Sequence, residues 1–185
     1  NFNQQEFLQL VKGKEGYLYP DTYFFLPNIK AKQIMETMEE NFTEKIAPIQ
    51  KDIKKFGNTF EEVLTMASIL EKEVPKTEDR KIVAGILWKR MRIGMPLQVD
   101  AVFPYITKKQ GVVTRDNLKI DSPYNTYLNK GLPPGPISNP SLDAIVSAIN
   151  PKETKYLFYI SDRKGVTRFA ATLEEHNNNI EKYLK

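Results

Sequence analysis

The sequence predicts an α+β domain that is mainly helical, with one small β-hairpin and a long loop region that forms a cleft. Several segments repeat apolar residues at a helical spacing, and two short segments near residue 160 flank a turn. The stretch 95–139 is rich in proline, glycine and aromatic residues. With 185 residues, 41% of them hydrophobic, the chain is long enough to form one domain, 1–185, with a sizeable core.

Start and stop signals place the elements along the chain. Thr59 with Glu62, and Thr172 with Glu175, form capping-box patterns, which predicts that a helix begins at each threonine. Pro75 ends the first of these helices, since the residue before a proline disfavours helical backbone. The predicted elements are helices at 4–12, 30–47, 59–74, 78–92 and from Pro140 to 150, an extended segment at 15–26, a hairpin of 155–161 and 166–170, and a last helix from Thr172.

Two carboxylates stand at the end of the helix predicted for 59–74. Glu71 and Glu73 lie in the string Ala-Ser-Ile-Leu-Glu-Lys-Glu-Val at 67–74. The negative end of the helix dipole and apolar surroundings both disfavour an ionised carboxylate, so both raise its pKa, as a general acid requires. On the helical wheel Glu71 falls inside the apolar stripe, and Glu73 falls on its flank beside Met66 and Ile69.

These carboxylates do not identify a catalyst by themselves. They could instead face solvent, or one of them could form a structural ion pair with Lys72, Lys76 or Arg80. Perturbed carboxylates occur in functional sites and in structural networks alike. The residues alone leave both interpretations open.

The long loop carries aromatic and amide groups on a backbone stiffened by proline. Its two motifs are Ser-Pro-Tyr-Asn-Thr-Tyr at 122–127 and Gly-Leu-Pro-Pro-Gly-Pro-Ile at 131–137. A pyranose offers an apolar face for aromatic stacking and hydroxyls for hydrogen bonds, so this combination is typical of sugar-binding loops. The alternative is that Tyr124 and Tyr127 pack into the core and that the prolines only form turns.

Composition excludes several classes of site. The chain has no cysteine and one histidine, which excludes disulfides, thiolate catalysis and a histidine-rich metal site. The formal net charge is only +4 and no basic run exceeds two residues, so no nucleic-acid-binding motif or stripe is present. No run of about 18 apolar residues could form a transmembrane helix. We expect no cofactor, no metal and no nucleic-acid partner.

Six motifs follow one another along the chain. They are Glu15-Gly-Tyr-Leu-Tyr-Pro-Asp-Thr-Tyr23, Ala67-Ser-Ile-Leu-Glu-Lys-Glu73, Arg92-Ile-Gly-Met-Pro-Leu-Gln-Val-Asp100, Ser122-Pro-Tyr-Asn-Thr-Tyr127, Gly131-Leu-Pro-Pro-Gly-Pro-Ile137 with Asn139-Pro140, and Glu175-His-Asn177. Together they resemble the endolytic murein transglycosylases, also called the YceG-like family, from about Gly13 to Leu184. The resemblance implies a bacterial enzyme with an N-terminal transmembrane anchor and a small LysM-like module. Residues 1–185 would then be a single catalytic domain, a fragment without the anchor and most or all of the module.

The resemblance also implies a reaction. Lytic transglycosylases cleave the bond between N-acetylmuramic acid and N-acetylglucosamine without water, and the muramic C6 hydroxyl closes onto C1 to give a 1,6-anhydro end. One carboxyl group can act first as acid and then as base. The second Glu of the family's Glu-Lys-Glu motif is the catalytic one, which corresponds to Glu73. The helical wheel puts Glu71 deeper, so Glu71 is kept as the alternative or supporting residue.

Further residues acquire roles from the same resemblance. The predicted substrate-binding set is Gln98, Asp100, Tyr124, Asn125, Thr126, Tyr127, Gly131, Leu132 and Pro133. Asp21 and Tyr23 either belong to the site or are structural, in a Pro-Asp-Thr turn packed under the catalytic helix, and His176 is expected to cap or pack. The chain departs from the family pattern at 101–105, where a Thr-Val-x-Tyr-like run is usual, and at Thr167, where a histidine is frequent.

The expected partner is the peptidoglycan glycan strand, with cell-wall synthases as candidates for further partners. The expected location is the bacterial cell membrane, single-pass, with the catalytic domain on the extracytoplasmic side. Two alternatives remain: a non-catalytic peptidoglycan-binding or scaffold domain, and a muramidase-type hydrolase that uses water. The presence of both Glu71 and Glu73 argues against the non-catalytic alternative.

Overall fold

Eight helices and one β-hairpin make up residues 2–185, the part of the chain that the computed structural model describes. The elements are α1 (Gln4–Leu10), α2 (Ala31–Ile46), α3 (Gln50–Phe56), α4 (Phe60–Glu73), α5 (Thr77–Arg92), α6 (Val102–Thr107), α7 (Leu142–Ile149), β1 (Phe158–Ser161), β2 (Thr167–Ala170) and α8 (Leu173–Tyr183). Short 3₁₀ turns lie at Ala47–Ile49 and Asn117–Lys119. The predicted α+β class is confirmed, because the chain is mostly helical with one two-stranded antiparallel sheet.

Helix α4 lies at the centre of the core. Every residue from Val63 to Leu70 is buried, since α4 packs against α3, α5 and α7. Its predicted capping box is confirmed: the Thr59 hydroxyl accepts the Glu62 N–H at 3.2 Å, and the Glu62 carboxylate accepts the Thr59 N–H at 2.9 Å. The burial of the helix body places its C-terminal turn, with Glu71 and Glu73, where the core meets the surface.

Two helices differ from the sequence prediction. Helix α7 begins at Leu142, not at Pro140, because Ser141 is the N-cap and its side chain accepts the Ala144 N–H at 3.3 Å. Helix α6 lies inside the stretch predicted to be loop. Its Pro104 falls in the first turn, where the missing N–H has no intrahelical partner to lose.

The predicted hairpin is confirmed, with strands shorter than expected. Strands β1 and β2 pair antiparallel with Tyr159 opposite Phe169. Asp162 closes the turn, since its Oδ1 accepts the N–H groups of Lys164 and Val166, each at 2.9 Å. Helix α8 packs on both strands, and the hairpin thereby brings Tyr159 to the end of α4.

The extended N-terminal segment is held against the long loop. The Asn139 Oδ1 accepts the N–H groups of Gly16 at 2.7 Å and of Leu18 at 3.3 Å. Gly16 has a φ of +92°, and a Cβ there would lie 2.7 Å from Pro136, so this contact requires glycine. Downstream, the side chains of Asp21 and Tyr23 contact Asn41 of α2.

None of the helices within residues 2–185 combines the length and the apolar composition needed to cross a bilayer.

Candidate active site

A cleft opens beside the C-terminal end of α4. Its volume is about 680 Å³, which lies within the range of about 300–1,000 Å³ that is usual for ligand sites. The end of α4, helix α5, the segment 96–101, strand β1 and helix α8 all contribute to its lining. The polar side chains that line it are Lys72, Glu73, Arg90, Gln98, Asp100, Tyr127, Tyr159, Ser161 and His176.

Glu73 is half-buried in this cleft and its carboxyl group is hydrogen-bonded on both oxygens. Oε2 accepts the Tyr159 hydroxyl at 2.8 Å, and Oε1 accepts the Ala101 N–H at 3.2 Å. Burial has the largest effect on the Glu73 pKa and raises it; the bonds from Tyr159 and Ala101 lower it, the Asp100 charge raises it and Arg90 lowers it. The net result is a raised pKa, so Glu73 can retain a proton and donate it.

Glu71 has different partners, although it lies two residues away on the same helix. Its Oε2 accepts both the backbone N–H of Ser141 at 2.9 Å and the Ser141 hydroxyl at 2.6 Å. Its Oε1 lies 3.9 Å from the Arg80 guanidinium, which also pairs with Asp143. Glu71 does not line the cleft. It joins the end of α4 to the start of α7, and in this way it fixes the helix end that carries Glu73.

Arg90 is a buried cation in the cleft lining that the sequence analysis did not single out. Its Nε donates to the Leu157 carbonyl at 2.7 Å, and its Nη1 donates to the Leu97 carbonyl at 2.6 Å. Its guanidinium lies 5.2 Å from the centroid of the Phe158 ring. Arg90 therefore joins the segment 96–101 to the hairpin strand and brings positive charge close to Glu73.

A signal for Arg90 was present in the sequence. Arg90 lies one turn after Ile86 on the side of α5 that the apolar pattern assigns to the core. A charged side chain at such a position is rarely buried without a specific partner. Tyr159 has no comparable signal, because only the hairpin fold brings it to Glu73 across 86 positions of the chain.

Burial favours the uncharged forms of Tyr159 and His176, which both line the cleft. Burial raises the pKa of Tyr159 well above its ordinary value, as does the Glu73 carboxylate, so Tyr159 remains a hydrogen-bond donor. Burial and the Arg90 charge lower the pKa of His176. The His176 ring stacks on Phe158 with centroids 5.2 Å apart, and its buried Nδ1 has no hydrogen-bond partner within residues 2–185. His176 thus packs, as predicted, and also lines the cleft.

Gln98 faces the cleft from a strained backbone. Its φ is +51°, and Lys108 is the one other non-glycine residue with positive φ in residues 2–185. The Gln98 N–H donates to the Thr126 carbonyl at 3.2 Å, and the next N–H, of Val99, donates to the Thr126 hydroxyl at 3.1 Å. Such a conformation costs about 1–3 kcal/mol and occurs where its surroundings impose it, often at functional sites.

Asp100 supplies a second carboxylate to the cleft. It is exposed, and its Oδ1 accepts the Tyr127 hydroxyl at 2.6 Å. Burial and the Asp100 charge both raise the pKa of Tyr127, so its hydroxyl remains a donor. The structure therefore brings together Glu73, Gln98, Asp100 and Tyr127 of the predicted site residues.

Asn125 and Thr126 lie beneath the cleft wall, in contrast to the prediction that they line the groove. Both are buried. The Asn125 side-chain amide donates to the carbonyls of Leu118 and Ile120 at 3.0 and 2.9 Å, and its Oδ1 accepts the Tyr127 N–H at 3.0 Å. These residues act on the cleft indirectly, by fixing the backbone that presents Gln98 and Tyr127.

The remaining predicted site residues also lie outside the cleft lining. Tyr124 packs on Tyr105 with ring centroids 4.8 Å apart. Leu132 packs against the core and Pro133 is buried, while Gly131 has a φ of +85° in the turn before them. These residues support the fold, because they already pack against neighbouring parts of the chain without a ligand.

Within residues 2–185 no group of three or more His, Cys, Asp or Glu side chains is placed to hold a metal ion. The cleft lining presents one glutamate with a raised pKa, one further carboxylate, a buried arginine and neutral hydrogen-bond donors.

Comparisons with known proteins show the family to which the chain is similar. The model of the YceG-like family matches residues 1–182. The chain is 37% identical, over 92% of its length, to proteins named endolytic murein transglycosylase from Streptococcus pneumoniae and from Bacillus subtilis. It spans 32% and 48% of the lengths of these relatives.

A solved structure shares the fold. A crystal structure of a YceG-like protein from Listeria monocytogenes superposes with a TM-score of 0.85 at 34% identity, covering 95% of this chain and 64% of that chain. The family match covers nearly the whole chain and the fold agrees. The chain belongs to the YceG-like family.

Proposed function

We propose that this domain is an endolytic peptidoglycan lytic transglycosylase in which Glu73 acts first as general acid and then as general base. The names of the relatives support the substrate and the reaction class. The observation that carries the assignment is the half-buried Glu73, whose pKa is raised by burial inside a polar cleft.

In the first step, protonated Glu73 donates its proton to the glycosidic oxygen between N-acetylmuramic acid and N-acetylglucosamine. The bond from that oxygen to the muramic C1 breaks, and N-acetylglucosamine leaves with a new hydroxyl. Positive charge develops on the muramic C1 and ring oxygen. The Asp100 carboxylate in the same cleft would stabilise that charge electrostatically.

In the second step, the Glu73 carboxylate accepts the proton of the muramic C6 hydroxyl. The C6 oxygen forms a bond to C1 and gives the 1,6-anhydro product, and Glu73 is protonated again. The hydrogen bonds from Tyr159 and Ala101 favour the carboxylate form. They thus support the state of Glu73 that the second step requires, while burial supports the acid form that begins the cycle.

A hydrolase remains the second candidate, because the cleft contains two carboxyl groups. Hydrolytic glycosidases use a pair of carboxylates, one as acid and one as base or nucleophile, and Asp100 could serve as the second one. A non-catalytic binding domain has less support, since a scaffold has no need for a half-buried carboxyl group with a raised pKa.

Mass analysis of glycan strands after incubation with the protein tests these candidates in one measurement. We expect new muramic ends that are lighter by one water than reducing ends, and no such ends with Glu73→Gln. New reducing ends would identify a hydrolase. Bound but uncleaved strands would identify a scaffold.

We further propose that the whole protein is held at the bacterial cell membrane by an N-terminal anchor, with this domain on the extracytoplasmic side, where nascent strands and cell-wall synthases are found. The family membership supports this proposal. Protease treatment of intact spheroplasts that contain the whole protein tests it: the domain should be degraded. Protection until lysis would overturn the proposal.

A further inference from the structure

A second cavity adjoins the cleft across a ridge of three residues. Its volume is about 660 Å³, close to that of the cleft, and Lys72, Ala101 and Pro104 line both cavities. The Ala101 N–H that binds Glu73 belongs to this ridge. The second cavity therefore lies next to Glu73, on the other side of this ridge.

Two lysines give the second cavity a positive charge. Lys72 comes from the end of α4 and Lys108 from the end of α6, while Glu15 is the one carboxylate in the lining. Neither ammonium group forms an ion pair within the described chain. The lining therefore carries two cationic groups against one carboxylate, and neither cation is paired with that carboxylate.

Lys108 is held in place by its backbone and by an aromatic ring. Its φ of +56° is that of a left-handed helix C-cap, a position where glycine is more usual. Its Nζ lies 3.9 Å from the centroid of the Tyr105 ring, and Tyr105 packs in turn on Tyr124. A cation–π contact fixes the ammonium group but leaves its N–H donors available to an anion.

We propose that the second cavity binds the carboxylate-bearing stem peptide of a glycan strand whose sugars lie in the cleft. In a strand that carries stem peptides, the lactyl carboxyl group of each muramic acid forms the amide bond to the peptide, so the sugar backbone of such a strand offers Lys72 and Lys108 no anionic partner. Muramic acid carries on its lactyl group a peptide with free carboxylates, which these two ammonium groups can bind. This inference rests on the proposed function, because it takes the polymer in the cleft to be peptidoglycan.

Binding to the Glu73→Gln variant tests the inference without turnover. The dissociation constant is measured for short strands that carry stem peptides and for bare strands, which are the same strands after an amidase has removed the peptides and the exposed lactyl carboxyl groups have been converted to amides. The same two measurements are made on a variant that carries Lys72→Gln and Lys108→Gln in addition to Glu73→Gln. The matched control is Lys54→Gln with Lys55→Gln, which removes the same charge from α3, outside both cavities.

We expect the preference for peptide-bearing over bare strands to fall about 3- to 10-fold in the Lys72/Lys108 variant, as for two partly solvated ion pairs, and to be unchanged in the control. Lys108→Gln alone, which leaves the cleft lining intact, should show a smaller fall in the same direction. High salt should reduce the preference of the parent and have less effect on the variant.

An unchanged preference in the Lys72/Lys108 variant, or an equal fall in the control, would overturn the inference. Cleavage of the same two strands by the wild-type protein is measured in parallel. If wild type cuts neither strand, the proposed function fails, while the binding preference still decides whether the second cavity recognises the peptide.

Discussion

The end of α4 holds two glutamates in two different surroundings. On one side, Glu71 is bound by the backbone and hydroxyl of Ser141 and faces Arg80. On the other side, Glu73 lies half-buried in an open cleft and accepts one hydroxyl and one backbone N–H. Both residues are carboxylates near the same helix C-terminus, so the helix dipole does not explain the difference.

The difference comes from what each carboxylate contacts. Glu71 accepts two hydrogen bonds at the N-terminus of α7 and faces the Arg80 cation, and these contacts give it a structural function. The nearest groups to Glu73 are neutral donors and burial outweighs them, so Glu73 retains affinity for a proton. Sequence spacing alone could not separate the two residues, because the partners of both come from distant parts of the chain.

The largest expected effect is the loss of turnover in Glu73→Gln. The substitution keeps the size of the side chain, and its amide can still accept the Ala101 N–H and donate to the Tyr159 oxygen. Turnover should fall by about 10²- to 10⁴-fold because proton transfer is lost. The release of anhydro ends is the measurement, and circular dichroism shows that the variant is folded. Near wild-type turnover would mean that another residue is the general acid, and Glu71 would be the first candidate.

Glu71→Gln should instead reduce stability. It removes the charge that Arg80 faces and weakens the bonds from Ser141, which should lower the free energy of unfolding by about 1–3 kcal/mol. Turnover of the folded protein should remain close to wild type. Chemical denaturation measures the loss. A variant with full stability and no activity would show that Glu71 belongs to the chemistry.

Asn125 and Gln98 extend the comparison from the helix end to the loop. Asn125→Ala leaves buried carbonyls without donors and should lower the free energy of unfolding by about 1–3 kcal/mol.

Gln98→Gly relieves a left-handed backbone. It should keep the free energy of unfolding unchanged or raise it by up to about 1 kcal/mol, while glycan binding weakens. Thermal unfolding and glycan titration of both variants measure these effects. A stable Asn125→Ala protein that binds glycan poorly would place Asn125 in the groove after all.

Tyr159→Phe should have the smallest effect. The Tyr159 hydroxyl donates to the Glu73 carboxylate and lowers its pKa, so its removal should move the activity limb that falls with rising pH to higher pH. The maximal rate should fall about 2- to 10-fold for the loss of one hydrogen bond. The pH–rate profiles of wild type and variant provide the comparison. A limb that stays in place would mean that Tyr159 does not tune Glu73.

Local patterns predicted much of the fold. The capping boxes at Thr59 and Thr172 are both present, because these interactions involve residues three apart. Helix α6 was missed because its six residues contain a proline and carry no sequence cap. The start of α7 was misplaced by two residues, since Ser141 is engaged by a carboxylate from α4.

The sequence predicted site residues only where a local motif contains them. Glu73, Gln98 and Asp100 stand in recognisable motifs, and the structure brings them into one cleft. Whether Asn125 faces a groove or the core depends on the carbonyls of Leu118 and Ile120, which no spacing rule places. The same holds for Tyr159, which reaches Glu73 only through tertiary packing.

Thermal unfolding of wild type, Glu73→Gln and Glu71→Gln at pH 8 tests the central claim most directly. A carboxyl group with a raised pKa in the folded state contributes stability that is present below its unfolded pKa of about 4.3 and is lost as the pH rises through the folded value. At pH 8 wild type therefore bears the full cost of an ionised Glu73. Glu73→Gln should unfold at a higher temperature than wild type, and this difference should shrink at pH 4.

Glu71→Gln should unfold at a lower temperature than wild type at pH 8, because it loses favourable charge contacts. The account thus predicts shifts of opposite sign from two identical substitutions two residues apart. Shifts of the same sign, or a Glu73→Gln protein less stable than wild type at pH 8, would contradict it.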